Sequence, residues 1–197
     1  MEAIARDAIS TNFTPTVHRA PYFTISPARP ELSQAGKTVL ITGGGTGIGK
    51  AIARNFALAS AATVIIVARQ VDRLNNAAAE LEKNAKDAHS PTKFIARSCD
   101  VTRSPEVTAL WTDLASEGIK VDVLVLNAAK FTAPQTLFEL GIEEVWSQFE
   151  ANVKGPLHLA EQFYKQPGES QKVSGIGIIL TVHSKLLTNS DTSFLSM

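Results

Sequence analysis

The run Thr42-Gly43-Gly44-Gly45-Thr46-Gly47-Ile48-Gly49 constrains the fold more than any other stretch of the chain. It follows the apolar run Thr38-Val39-Leu40-Ile41 directly and opens a segment with helical spacing. A strand that ends in glycines and turns into a helix N-terminus is suited to hold a pyrophosphate. Gly43 takes the tight turn out of the strand, and Gly47 leaves no side chain where the phosphates approach. Gly49 lets the helix lie close on the sheet. The unpaired N–H groups of that helix, and the positive end of its dipole, face the anion. Thr42, Gly45, Thr46 and Ile48 complete the candidate cradle. The spacing is T-G-x-x-x-G-x-G rather than G-x-G-x-x-G. A strand before it and a helix after it set it apart from an ordinary glycine turn.

From Lys37 onward, apolar strands alternate with amphipathic helices. Strands are expected at 38–42, 63–68, 93–99, 121–126 and 175–182, and helices at 47–60, 71–88, 104–118 and 142–166. Ile48, Ile52 and Phe56 mark one stripe of the first helix, and Ser104-Pro105 reads as N-cap followed by the first helical position. Pro156 is expected to bend the last helix. The β-branched run Thr63-Val64-Ile65-Ile66-Val67 suits a strand buried on both faces. The pattern predicts an α/β fold, a doubly wound parallel sheet of the Rossmann-like kind with about five strands. The domain is expected over 37–197. Residues 1–36, with Pro15, Pro21, Pro27 and Pro30, read as an extended leader.

Composition narrows the partners. Lysine plus arginine and aspartate plus glutamate both number 19, so nothing steers a polyanion, and nucleic acid is not an expected partner. No stretch reaches the ~18–20 apolar residues of a membrane span, and no signal peptide is apparent at the start. The single cysteine, Cys99, sits in a strand-like run and reads as a packed, inert thiol. A cytoplasmic, reducing location is the expectation.

A nicotinamide dinucleotide site commonly places an acid beyond the second strand, on the ribose hydroxyl. Here Arg69 stands there, and the nearest acid, Asp72, falls in the following helix. A guanidinium at that point suits a 2′-phosphate, which favours NADP(H) over NAD(H). The bland alternative is a solvated arginine at a strand end.

Taken in order, these pieces resemble the short-chain dehydrogenase/reductase family over roughly residues 37–184. The glycine run is the first match. Asp100-Val101 resembles the pair that contacts the adenine ring, and Asn127-Ala128-Ala129 resembles the family's N-A-G, with Ala129 in place of glycine. Asn152-Val153-Lys154-Gly155-Pro156 resembles the stretch whose asparagine supports a proton relay. Taken singly, Asp100 also suits a turn, Asn127 a loop cap and Asn152 a helix bend. The resemblance implies hydride transfer between a nicotinamide cofactor and a small carbonyl or alcohol substrate. It also implies a homo-oligomer formed through the long helix and its neighbour.

The resemblance further implies a serine that orients the substrate oxygen and a tyrosine and lysine, spaced Y-x-x-x-K, that move the proton. A cation beside the phenol is what makes it a usable base at neutral pH. Ser184 matches by position at the end of the fifth strand, whereas the tyrosine position falls at Met197. No Y-x-x-x-K occurs, since four residues after Tyr22 comes Ser26 and four after Tyr164 comes Gly168. Strand alternation turns His183 away from the face that Ser184 would occupy. The chain therefore reads as a shortened member. Its fifth strand is expected at an exposed edge, and part of the long helix's apolar stripe is expected to lack cover. The alternative function is a catalytically silent dinucleotide-binding or interaction protein. A nucleotide-sugar or phosphate-binding α/β module is a more distant third reading.

Overall fold

The computed structural model describes residues 22–132 and 135–167. Its centre is β1 (Thr38–Thr42), flanked on one side by β2 (Thr63–Ala68) and on the other by β4 (Val123–Val125). Strand β3 (Lys93–Ser98) pairs with β2, so the parallel order is β3-β2-β1-β4. Leu40 registers with Ile65 on one side and Leu124 on the other. The fifth expected strand, 175–182, lies outside the described residues.

Helices cover both faces, which is why β1 and β2 read as unbroken apolar runs. Val39, Ile41, Val64 and Ile66 point to one side, where α1 (Gly47–Leu58) and α2 (Val71–Asp87) bring Ala53, Ala57, Leu74 and Leu81. Leu40, Ile65, Val67 and Leu124 point to the other. There they meet Val107, Leu110 and Leu114 of α3 (Ser104–Ser116) and Leu159 and Phe163 of α6 (Gly155–Tyr164). Each such fully buried Val, Leu or Ile contributes roughly 1.5–3 kcal/mol from burial. Trp111 packs against Phe163 with ring centroids 6.1 Å apart.

Several local expectations need correction. Ile52 and Phe56 of α1 pack half-buried against the core as expected, but Ile48 is exposed, and the fully buried face runs through Gly49, Ala53 and Ala57. Arg103, not Ser104, is the N-cap of α3, and it makes no side-chain cap bond. A short helix, α4 (Leu137–Leu140), was not anticipated. Thr136 and Glu139 close a capping box around its start.

The expected long helix is divided in three. Helix α5 (Ile142–Phe149) runs into a wide π turn at Glu150–Lys154, and α6 follows with Pro156 in its first turn. Proline has no N–H to give the carbonyl four residues back, and the widened turn absorbs that loss. The Gly155 amide instead donates to the Glu150 carbonyl. Among the described residues no helix is long and apolar enough to cross a membrane. The described part of the leader forms two single 3-10 turns, Phe23–Ile25 and Pro30–Leu32. It is tied down where the Gln34 amide donates to the Ala59 carbonyl at 2.7 Å.

Candidate active site

Parallel strands place their C-terminal ends along one edge, and the loops leaving those ends enclose a cleft of about 730 Å³. Of the residues expected to hold a dinucleotide, Gly43, Gly45, Thr46, Gly47, Ile48 and Gly49 line it from β1 and α1. Arg69 lines it from β2, Asp100 and Val101 from β3, and Asn127 and Ala128 from β4.

The glycine turn is held in place by backbone and side-chain bonds. The Gly43 amide donates to the Val67 carbonyl at 2.7 Å, tying the turn to the end of β2. A Cβ on Gly49 would sit 2.2 Å from the Gly43 carbonyl oxygen and 2.6 Å from Asn127 Nδ2. Only a residue without a side chain lets α1 start that close to the turn. Gly47, at φ +50°, faces open space, so its place is set by backbone conformation and leaves room beside the helix end. Gly44, which the motif does not single out, packs on Ile66, whose Cγ2 would lie 2.7 Å from an added Cβ.

The start of α1 is uncapped. Thr46 makes no side-chain cap bond, and the first turn carries no acidic residue. Its amides therefore remain available to an anion in the cleft. Thr42 is buried beneath the turn and outside the cleft. Its hydroxyl accepts from the Asn127 and Ala128 amides, both at 3.0 Å, and Asn127 Nδ2 donates to the Thr42 carbonyl at 3.0 Å.

Asp100 makes the turn that its bland reading anticipated. Oδ1 accepts from the Thr102 amide at 3.0 Å and the Thr102 hydroxyl at 2.8 Å, which leaves Oδ2 unbonded among the described residues. Arg69 is exposed at the lip, and Arg73 of α2 lines the same cleft. Neither guanidinium has a hydrogen-bond or ion-pair partner among the described residues. Asp72 does not line the cleft. A charge pattern at the start of α2, read at helical spacing from Arg69, is the signal that points to Arg73.

Asn152 lies in the π turn, where its side chain brackets Lys130. Oδ1 accepts from the Lys130 amide and Nδ2 donates to the Lys130 carbonyl, both at 2.8 Å. The loop after β4 is thereby latched to the helix. Gly155 brings that helix against the Val101 carbonyl, which an added Cβ would meet at 2.6 Å. Ser184 and His183 lie outside the described residues. Cys99 is buried at the cleft floor. Burial, and after it the carboxylates of Glu106 and Asp100, push its thiol up to about 11. Among the described residues no cluster of His, Cys, Asp or Glu is arranged to hold a metal.

The profile of the short chain dehydrogenase family matches residues 37–190. A short chain dehydrogenase/reductase of Claviceps purpurea is 34% identical over 160 residues, covering 81% of this chain and 52% of that protein. The 7alpha-hydroxysteroid dehydrogenase of Escherichia coli is 32% identical over 161 residues, covering 82% of this chain and 58% of the other. Among solved structures, L-sorbose reductase from Gluconobacter frateurii, complexed with NADPH and L-sorbose, superposes with a TM-score of 0.59. It is 32% identical and covers 67% of this chain and 48% of its own. An alcohol dehydrogenase from Thermococcus sibiricus, complexed with 5-hydroxy-NADP, gives a TM-score of 0.56 at 32% identity, covering 64% of this chain and 51% of that one. The chain spans about half the length of the relatives it matches.

Proposed function

The chain belongs to the short-chain dehydrogenase family, and from that premise we propose that it binds NADP(H) for hydride transfer on a carbonyl or alcohol substrate. One observation carries the reading: a single cleft gathers the glycine turn, an uncapped helix start, Asp100 and two arginines that have no partner among the described residues. The residues fit the group. Backbone amides of α1 suit the pyrophosphate, and Arg69 with Arg73 suits a 2′-phosphate, with no acid of α2 lining the cleft to repel it. Asp100 Oδ2 and the Val101 backbone suit the adenosine. When bound, the nicotinamide supplies or accepts the hydride; the described residues bind and orient it and shield it from water. Asn152 acts by fixing the loop after β4, and Ser184 orients the substrate oxygen.

Two relatives are described as complexes with NADPH or an NADP derivative, which supports the phosphorylated cofactor. A homo-oligomer is part of the same proposal. Trp146, Phe149, Val153 and Leu157 form an exposed apolar face running from α5 through the π turn into α6, with Glu150, Lys154 and Glu161 beside it. Both charge signs along one face suit pairing with its own copy. The cytoplasm remains the proposed location.

A second reading, dinucleotide binding without turnover, rests on the same cleft. Titration of the purified protein with NADPH and NADH tests the shared premise, and tighter NADPH binding is the expected result. NADPH oxidation in the presence of butane-2,3-dione separates the readings, because turnover supports the oxidoreductase and binding alone supports the silent protein.

A further inference from the structure

Lys130 is placed with more care than a loop residue requires. Asn152 holds both its amide and its carbonyl at 2.8 Å, so its backbone is fixed. Its Nζ donates to Glu144 Oε2 at 2.9 Å and to Ser147 Oγ at 2.6 Å. Ser147 Oγ in turn donates to the Glu144 carbonyl at 2.7 Å, which orients its lone pairs toward the ammonium. An ammonium has three donors. Two are used here, and the third has no acceptor among the described residues.

Lys130 and Ser147 both line the cleft. Lys130 follows β4 and Arg69 follows β2, with the glycine turn of β1 between them. Two strand spacings put the two loops on the order of 10 Å apart. A dinucleotide whose adenosine phosphate meets Arg69 and whose pyrophosphate meets the glycine turn continues toward the β4 loop. Glu144 already balances the charge of Lys130. The Lys130 ammonium holds the Glu144 carboxyl below its ordinary value, so that balance persists at neutral pH. The remaining donor thus suits a neutral oxygen better than an anion.

We infer that Lys130 is a ligand-binding residue. It donates its third N–H to a neutral oxygen, a ribose hydroxyl or the carboxamide carbonyl, in the nicotinamide half of the dinucleotide. Glu144 and Ser147 are positioning residues that aim the ammonium. The inference rests on the NADP(H) reading above.

Calorimetric titration of the 197-residue protein with NADPH and with adenosine 2′,5′-bisphosphate, which lacks the nicotinamide half, tests it. Lys130→Met is expected to weaken NADPH about tenfold, the usual scale for losing one charged donor, and to leave the bisphosphate within about twofold. Equal NADPH affinity in wild type and variant overturns the inference. Equal losses for both probes also overturn it, since a general disturbance of the fold acts on both. Should wild type bind neither probe, the NADP(H) reading itself fails. Should it bind both with Lys130→Met unchanged, only the role of Lys130 falls.

Discussion

The Thr42 hydroxyl accepts the Asn127 amide at 3.0 Å, and the Asn127 side chain donates back to the Thr42 carbonyl at the same distance. This reciprocal pair joins the ends of β1 and β4 beneath the glycine turn, so the floor of the cleft is one bonded unit. Thr42 is 1% exposed, and its hydroxyl also receives the Ala128 amide. Thr42→Val keeps the shape and removes the acceptor of two amides. An unsatisfied donor costs about 1–3 kcal/mol, discounted here because Asn127 and Ala128 are only part-buried. We expect about 2 kcal/mol of lost stability by urea unfolding, mostly recovered in Thr42→Ser. A Thr42→Val protein as stable as wild type would show that the pair does not hold the floor together.

Gly49 and Gly45 both line the cleft, yet they should tolerate a methyl group very differently. An alanine Cβ at Gly49 collides with the Gly43 carbonyl, whereas at Gly45 it meets Leu74 Cδ1 at an ordinary 3.6 Å. Gly49→Ala must lift the start of α1 off the turn and move the amides proposed to meet the pyrophosphate. NADPH affinity should fall by more than about tenfold in Gly49→Ala. Gly45→Ala should remain within about threefold. Equal affinities in the two variants would remove the close helix start from the account of binding.

Much of this was legible in the sequence because it is local. β1 and β2 matched their expected limits, since a continuous β-branched run bounded by glycine or by helix formers has few alternatives. The glycine turn between β1 and α1 was legible for the same reason: strand, glycines and helix start are contiguous. The π turn was not, because Val145, Phe149, Val153 and Leu157 keep helical spacing across it. The α4 helix had a readable signal in Thr136-Leu137-Phe138-Glu139, a capping-box pattern lying between the fourth strand and the last expected helix, where no element was assigned. Lys130 with Glu144 and Ser147 is a tertiary arrangement set by the latch from Asn152, and no spacing along the chain announces it.

Arg69 and Arg73 face the cleft from a strand end and a helix start, with no partner among the described residues to neutralise either. If both reach a 2′-phosphate, each alanine variant should weaken NADPH about tenfold while leaving NADH within about twofold. The double variant should bind the two cofactors almost equally. Parallel fluorescence titrations measure this directly, and an equal loss for both cofactors would instead place the arginines on the pyrophosphate.

Cys99 offers a test of cleft burial that needs no variant. It is 1% exposed, and burial is the first cause that raises its thiol from 9.0 to about 11. The neutral form is the favoured one, so the thiolate fraction rises only as pH approaches that value. At pH 7.5 it is on the order of one in three thousand, against about one in thirty for a thiol at 9.0. Modification by a disulfide reagent should therefore be at least about a hundredfold slower in the native protein than in urea, and should accelerate as the pH is raised. Cys99 also lies at the floor of the cleft. A bound dinucleotide covers that floor, so saturating NADPH should slow the residual reaction further. Rapid stoichiometric labelling of the native protein would contradict the packing at the end of β3. Slow labelling that NADPH leaves unchanged would instead place the nucleotide away from this part of the cleft.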